Sequence, residues 1–220
     1  MKESIFKSHR LIDISPIVGP QTAVFPGDTP FRRTVALDMD SGDNLTLSSI
    51  QTTVHIGAHT DAPNHYSSQG PGIDCVSLEP YFGLCQVIEV SLRPSERIRP
   101  EHIVKQKIRA PRVLFKTLSF PDPNQWNNDF NSLSPELIEL LAEQGVKLVG
   151  IDTPSVDPAD DKILESHNCI LKKDLRILEG IILTDVSEGL YELMALPLKI
   201  EGADASPVRA VLLESQTNVR

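Results

Sequence analysis

Cysteine is scarce and scattered: the 220 residues hold three, Cys75, Cys85 and Cys169, with no C-x-x-C pair. That excludes a zinc ribbon or a dithiol redox motif, and an odd, widely spaced set does not make a disulfide framework. The three read as small apolar fillers. Aromatic residues are also few, at 5%, with one tryptophan. No apolar run approaches the roughly 18 residues of a membrane span, and the opening stretch lacks the apolar centre of a secretory leader. The expectation is a cytoplasmic protein without membrane contact. Basic residues are outnumbered, 21 Lys plus Arg against 30 Asp plus Glu, for a net charge of −9. Such a chain repels phosphate backbones. Its densest cationic stretch, Arg93 to Arg112, is interrupted by Glu96, Glu101 and three prolines, so no nucleic-acid partner is expected. There is no G-x-S-x-G elbow, so a serine-hydrolase mechanism lacks its nucleophile. Nor is there a repeat or long linker, and a single domain over 1–220 is expected.

What is present is a succession of short elements. Hydrophobic residues make up 40% of the chain, and seventeen prolines and twelve glycines punctuate it. Residues 11–14 suggest a short strand, followed by a turn-rich segment from Pro16 to Pro30. Leu45 to Ile56 is β-leaning, and Leu84 to Val90 and Arg112 to Thr117 have the composition of buried strands. Ser134-Pro135-Glu136 opens the clearest helix, with a hydroxyl cap, proline at the first helical position and an acid in the first turn. Gly145 fits the position just past its end. Val146 to Ile151 then completes a strand–helix–strand unit. A short helix over 160–167 and strands over 180–184, 191–200 and 208–213 make a mixed α/β domain richer in strand than in helix.

The segment Val54-His55-Ile56-Gly57-Ala58-His59-Thr60-Asp61-Ala62-Pro63-Asn64-His65 carries the chemistry. Three of the six histidines fall within these eleven positions from His55 to His65, with an aspartate among them. Imidazole and carboxylate together suit zinc and similar divalent ions. A helix of the H-E-x-x-H type is opposed by Gly57 and Pro63, and no Glu follows His55 to act as base. A strand running into a loop fits better, because positions 55, 57, 59, 61 and 65 share the parity of one strand face. Gly57 would leave room for ligands to approach the backbone. Further ligands must come from afar: His167 is the best distant histidine, and Asp152, Asp157, Asp160, Asp161, Glu165 and Glu179 are the acidic candidates. Periodicity does not choose among them.

His55-x-Gly57-Ala58-His59-x-Asp61-x-Pro63-x-His65 resembles the H-x-G-[TA]-H-x-D-x-P-x-H signature of the metal-dependent cyclase-like hydrolases. The likeness extends along the chain, through Asp13-Ile14-Ser15-Pro16, Pro26-Gly27-Asp28-Thr29-Pro30 and Leu78-Glu79-Pro80-Tyr81. It continues through Ser155-Val156-Asp157-Pro158, Arg176-Ile177-Leu178-Glu179-Gly180, Ala195-Leu196-Pro197-Leu198 and Asp204 to Val211. These later blocks are similar to the bacterial kynurenine formamidase branch of that family. The resemblance implies a layered β/β/α mixed-sheet fold of the cyclase-like, swivelling type, and two divalent metal ions per subunit, zinc by usual assignment. It implies His55, His59 and Asp61 as ligands, Asp61 bridging, with His167 on the second ion and Glu179 bridging again. His65 is implied to stay off the metals as the proton-transferring residue. The implied substrate is N-formyl-L-kynurenine, cleaved to kynurenine and formate, and the implied assembly is a homodimer or larger. Phe25 stands where the formamidases usually carry a tryptophan against the substrate; it keeps an aromatic face and loses the indole N–H.

Competing readings are a sibling hydrolase acting on another amide, such as the ring amide of isatin, or on a cyclic carbonyl compound, and a catalytically silent metal-binding protein. Chelator-sensitive turnover separates the last from an enzyme. Elsewhere, Asp13 to Pro16 and Asp204 to Arg209 read as fold or interface elements. Asp152, Asp157 and Asp160 read as turn caps, and His9 and His102 as solvated residues.

Overall fold

The longest apolar runs become the interior strands of the sheet. In the computed structural model, which describes residues 9–215, the strands are β1 (His9–Asp13), β2 (Arg32–Leu37), β3 (Leu47–Gln51), β4 (His59–Asp61) and β5 (Phe82–Glu89). They continue as β6 (Arg97–Ile98), β7 (Arg112–Lys116), β8 (Ser132–Leu133), β9 (Leu148–Ile151) and β10 (Arg176–Leu178). The last are β11 (Gly189–Met194), β12 (Ala205–Pro207) and β13 (Val211–Ser215), and the helices are α1 (Pro135–Glu143) and α2 (Glu165–Lys172). Seven strands form one mixed sheet in the order β1-β13-β11-β5-β7-β9-β10. From β5 to β10 the pairing is parallel; from β5 back to β1 it is antiparallel.

Parallel strands covered on both faces need apolar side chains at successive positions, and β7 and β9 supply them. Val113, Phe115, Val149 and Ile151 point to one face, where Leu137, Ile138 and Leu141 of α1 and Ile170 of α2 pack. Leu114 and Leu148 point to the other, among Ile14, Ala58, Ile181, Leu193 and Leu212. Each fully buried side chain of this kind contributes about 1.5–3 kcal/mol of transfer free energy. The second face is covered by extended chain that includes the small β4–β12 ribbon, which gives the expected mixed-sheet α/β layering. No helix among the described residues is long and apolar enough to cross a membrane.

Ser134 Oγ accepts the Leu137 N–H at 3.2 Å and Gly145 takes φ +82° just beyond the helix, as the capping pattern predicts. Other expectations are corrected. The helix expected over 160–167 starts later, at Glu165, because Asp161 turns the chain by accepting the N–H groups of Ile163 and Leu164. Residues 180–184 are not a strand; Gly180 adopts φ +65° and bends the chain away from β10, which the sequence reading missed. The strand expected over 191–200 ends at Met194, ahead of Pro197, and that over 208–213 begins at Val211. His102 is not merely solvated: its Nδ1 accepts the Arg99 N–H at 2.9 Å. The His9 side chain lies outside the described residues. Cys85 and Cys169 are buried as fillers, whereas Cys75 is exposed.

Candidate active site

β4 is only three residues long, so strand parity governs less than the pattern suggested. It does govern Thr60, whose hydroxyl turns away to donate to Ile177 O at 2.6 Å, leaving His59 and Asp61 on the opposite face. His55 arrives through a turn at Gly57 (φ +59°), and His65 ends a short 3-10 helix, Pro63–His65. Gly57 is therefore needed for its backbone rather than as space for a ligand: a Cβ there would sit 3.0 Å from Val18 Cγ2 and 3.2 Å from Pro16 Cγ.

The distant residues come from the ends of other elements. Glu179 follows β10 and pairs its backbone with His59 in both directions, at 3.0 and 2.9 Å. His167 lies in the first turn of α2. Together with the residues after β7 and β9, they surround a cavity of about 330 Å³ at the carboxyl ends of the parallel strands, where open α/β sheets generally place their ligands. Three imidazoles and two carboxylates meet on its floor. Asp61 Oδ1 lies 3.0 Å from His55 Nδ1 and 3.7 Å from His59 Nε2, while Oδ2 lies 3.3 Å from His167 Nε2. Glu179 Oε2 is 3.1 Å from His59 Nε2 and Oε1 is 3.8 Å from His167 Nε2. Asp61 thus stands among three rings and Glu179 between two.

This donor set fits a divalent cation. Asp61 is almost wholly buried, and its Oδ1 has no aligned hydrogen-bond partner among the described residues despite the nearby rings. Such an orphaned carboxylate oxygen is costly without a cation to meet it. Potential ligand atoms of His55, His59 and Asp61 lie within 4.8 Å of one another, as do those of Asp61, His65 and His167. Geometry alone therefore leaves His65 within reach of an ion, although its ring is a third exposed and sits toward the mouth. The His65 and His55 ring centroids lie 4.2 Å apart, the rings tilted by 42°.

Burial by itself would lower the pKa of His55 and His167. The Asp61 carboxylate beside His55 overcomes this and raises it to about 9, and Asp157 and Asp61 raise His167 to about 10. Burial would likewise raise Asp61, but the His167 hydrogen bond and the charge of the His55 ring beside it hold it well below the usual range. For His65 burial prevails and the pKa falls. Because the folded pKa values of His55 and His167 exceed an unfolded value near 6.5, their stabilisation of the metal-free protein is complete below that pH. It is lost as pH rises through about 9 and about 10. Cation binding must also displace these protons. Titrating zinc into chelator-treated protein at pH 7.5 should release protons, so the calorimetric enthalpy will change with the buffer's ionisation heat. A buffer-independent enthalpy would mean the rings were already neutral.

Phe25 lines the cavity and packs edge-on against Trp126, centroids 5.2 Å apart; Trp126 also contacts Phe120 and Phe130. Sequence reasoning missed Trp126 and Phe120, which lie far from the histidine motif. The only available signal was that the sole tryptophan sits in a Pro- and Asn-rich segment. Asp204 also needs correcting, because beyond any fold role its Oδ2 is 3.0 Å from His55 Nε2 and 3.5 Å from His65 Nδ1. Asp157 does cap a turn, and it also bonds the His167 ring.

Gly180 is the backbone position on which this convergence depends most. A Cβ there would meet Gly57 O at 2.1 Å, and φ is +65°. Gly180→Ala should cost about 1–3 kcal/mol from conformation alone, with the overlap adding to it, and should push Glu179 away from His59. The expected results are a lower denaturant midpoint and reduced metal content. An unchanged midpoint would show that the chain relaxes freely here.

Residues 12–158 match the family model described as "Putative cyclase". A kynurenine formamidase of Bordetella petrii is 48% identical over 206 residues, covering 93% of this chain and 98% of that protein. Among solved structures, a potential metal-dependent hydrolase with cyclase activity superposes with a TM-score of 0.81 at 25% identity, covering 93% of this chain and 98% of that one. An isatin hydrolase bound to the product analogue thioisatinate shares the fold, with a TM-score of 0.78 at 20% identity over 96% and 94% of the two chains. With its histidine motif inside the matched span and its likeness running nearly end to end, the chain belongs to the cyclase family.

Proposed function

We propose that this chain is a metal-dependent amide hydrolase that cleaves N-formyl-L-kynurenine to L-kynurenine and formate. The observation that carries this reading is the placement of the His55, His59, Asp61, His167 and Glu179 cluster on the floor of a cavity whose wall is Phe25, Phe120 and Trp126. An aryl ring fits the aromatic wall while its formyl amide reaches the polar floor. The high identity to a protein named for this activity supports the same assignment.

His55, His59 and Asp61 would hold one ion and His167 a second, with Asp61 and Glu179 between them; zinc is the ion we assign. When bound, such a pair lowers the pKa of water from 15.7 to about 7 and polarises a carbonyl oxygen. The chain's own residues do the rest. Asp61 and Glu179 balance the cationic charge in a buried setting. Hydrolysis places the water oxygen on the formyl carbon and a proton on the anilide nitrogen as the C–N bond breaks. We assign that proton transfer to His65: burial lowers the pKa of its ring and so keeps it neutral and able to accept a proton near pH 7. The aromatic wall orients the leaving arylamine.

Around this site we read one domain over 1–220 acting as a homodimer or larger. Support comes from the β2–β3 hairpin, whose Val35, Leu47 and Ile50 are exposed, and light scattering on the purified protein tests it. Three free thiols agree with a cytoplasmic location. The assignment itself is tested by assaying N-formyl-L-kynurenine with purified protein whose metal content is measured on the same sample. Kynurenine should form, and a chelator should abolish it. Failure with this substrate alongside turnover of isatin would move the chain to a sibling activity.

A further inference from the structure

A carboxylate–guanidinium pair beneath the site does more than cap a helix. Asp157 is fully buried and is bonded on both oxygens. Oδ1 accepts from Arg97 Nη1 at 2.9 Å and from the Ser166 N–H at 2.9 Å. Oδ2 accepts from the His167 N–H at 3.0 Å and from the same residue's ring Nδ1 at 2.8 Å. One oxygen thus holds both backbone and imidazole of His167. Leu164, the residue preceding α2, sits at φ +56° and offers no capping side chain, so Asp157 supplies the cap from outside the helix. A cap would need only the two backbone contacts. The ring contact adds orientation: with Nδ1–H donated to Asp157, Nε2 is left facing Asp61 and Glu179.

Arg97 makes that arrangement rigid. Besides Asp157, its Nη1 donates to Leu133 O and Ser166 Oγ, each at 2.9 Å, and its Nη2 donates to Asp161 at 2.8 Å. A planar guanidinium can hold both carboxylates at fixed angles; an ammonium cannot. Its charge also joins the His167 ring in offsetting a buried carboxylate. Arg97 itself is held by β6, which pairs with β8 through Arg97 and Ser132.

We propose that Asp157, locked by Arg97, is the positioning residue for His167, fixing its ring orientation and presenting Nε2 to the site. This rests on the metal-centre reading above, where His167 is a ligand. Outer partners of ligating histidines characteristically alter metal affinity by about 10–100-fold. Asp157→Asn keeps the shape but sets an NH₂ against either Arg97 or His167, and Arg97→Lys keeps the charge but loses the fork.

The test measures zinc affinity by competition with a chromophoric chelator, and the His167 ring by long-range ¹H–¹⁵N spectra, for wild type and both variants. Thermal unfolding of the chelator-treated proteins controls for fold. Asp157→Asn should unfold cooperatively, bind zinc about 10–100-fold more weakly, and lose the slowly exchanging Nδ1–H signal of His167. Arg97→Lys should shift both readouts in the same direction by less. Wild-type zinc affinity, or an unchanged Nδ1–H signal, in a folded Asp157→Asn protein overturns the proposal. If Asp157→Asn does not fold, Arg97→Lys decides by the same two readouts. If the wild-type chain takes up no zinc, the metal reading falls, and the ring signal alone decides whether Asp157 positions His167.

Discussion

Asp61→Asn is expected to lose bound metal and nearly all activity. Asp61 is buried among His55, His59 and His167, with its two oxygens facing different rings. Replacing one oxygen by NH₂ removes the negative charge at the centre of the cluster and aims a donor at a ring nitrogen. Outer-shell changes at metal sites cost about 10–100-fold in affinity or activity, and a group in the bridging role we propose for Asp61 should exceed that. The same substitution removes the partner that raises His55 and helps to raise His167, so the metal-free variant should hold fewer protons at pH 7.5 than the wild type. Elemental analysis after dialysis, with circular dichroism to verify the fold, checks the outcome. Full metal content in a folded variant would show that Asp61 does not bridge.

His65→Ala should behave oppositely on metal and similarly on rate. Its ring sits toward the mouth of the cavity, tilted against His55 and 3.5 Å from Asp204, a looser approach than the 3.0 Å of Asp61 to His55. Removing it should lower the catalytic rate by about 10²–10⁴-fold, the usual size of a general acid–base contribution. Metal content and thermal stability should stay near wild type. Because burial lowers the His65 pKa, the ring stays neutral below its ordinary 6.5. The His65 contribution to the acid side of the wild-type rate profile should accordingly lie below pH 6.5, and that contribution should be missing in the variant. Retained turnover would remove His65 from the mechanism. Loss of metal would make it a ligand, a role that its distance to Asp61 and His167 also permits.

The eleven residues from His55 to His65 carry their chemistry in one dimension. Clustered imidazoles around an aspartate, with Gly57 and Pro63 opposing a helix, mark a candidate cation site from local residues alone. The Ser134-Pro135 cap and the apolar runs of β7 and β9 are equally local, because capping and two-faced burial depend on neighbouring residues. Those features, and through them the mixed α/β class, were legible in the sequence. Strand limits were less so: β4 is three residues long because Gly57 and Pro63 stop it on either side, and Gly180 bends the chain where a strand had been expected.

The partners of the motif were decided in three dimensions. Glu179 reaches the site because its backbone bridges to His59 across a gap that only Gly180 can border, a contact no periodicity records. Asp157 and Asp161 stood alike among the acidic ligand candidates, and Arg97 holds both, yet their roles differ: both oxygens of Asp157 are turned to the first turn of α2 and one to the His167 ring, while Asp161 shapes the loop before it. Asp204 joins the site because β12 pairs with β4, and Trp126 stands against Phe25 although a hundred residues separate them. The sequence determined which chemistry the short motif could hold. Only the tertiary structure decided which distant carboxylates and aromatic rings meet it, because burial and hydrogen bonding are settled by chain packing and not by position along the chain.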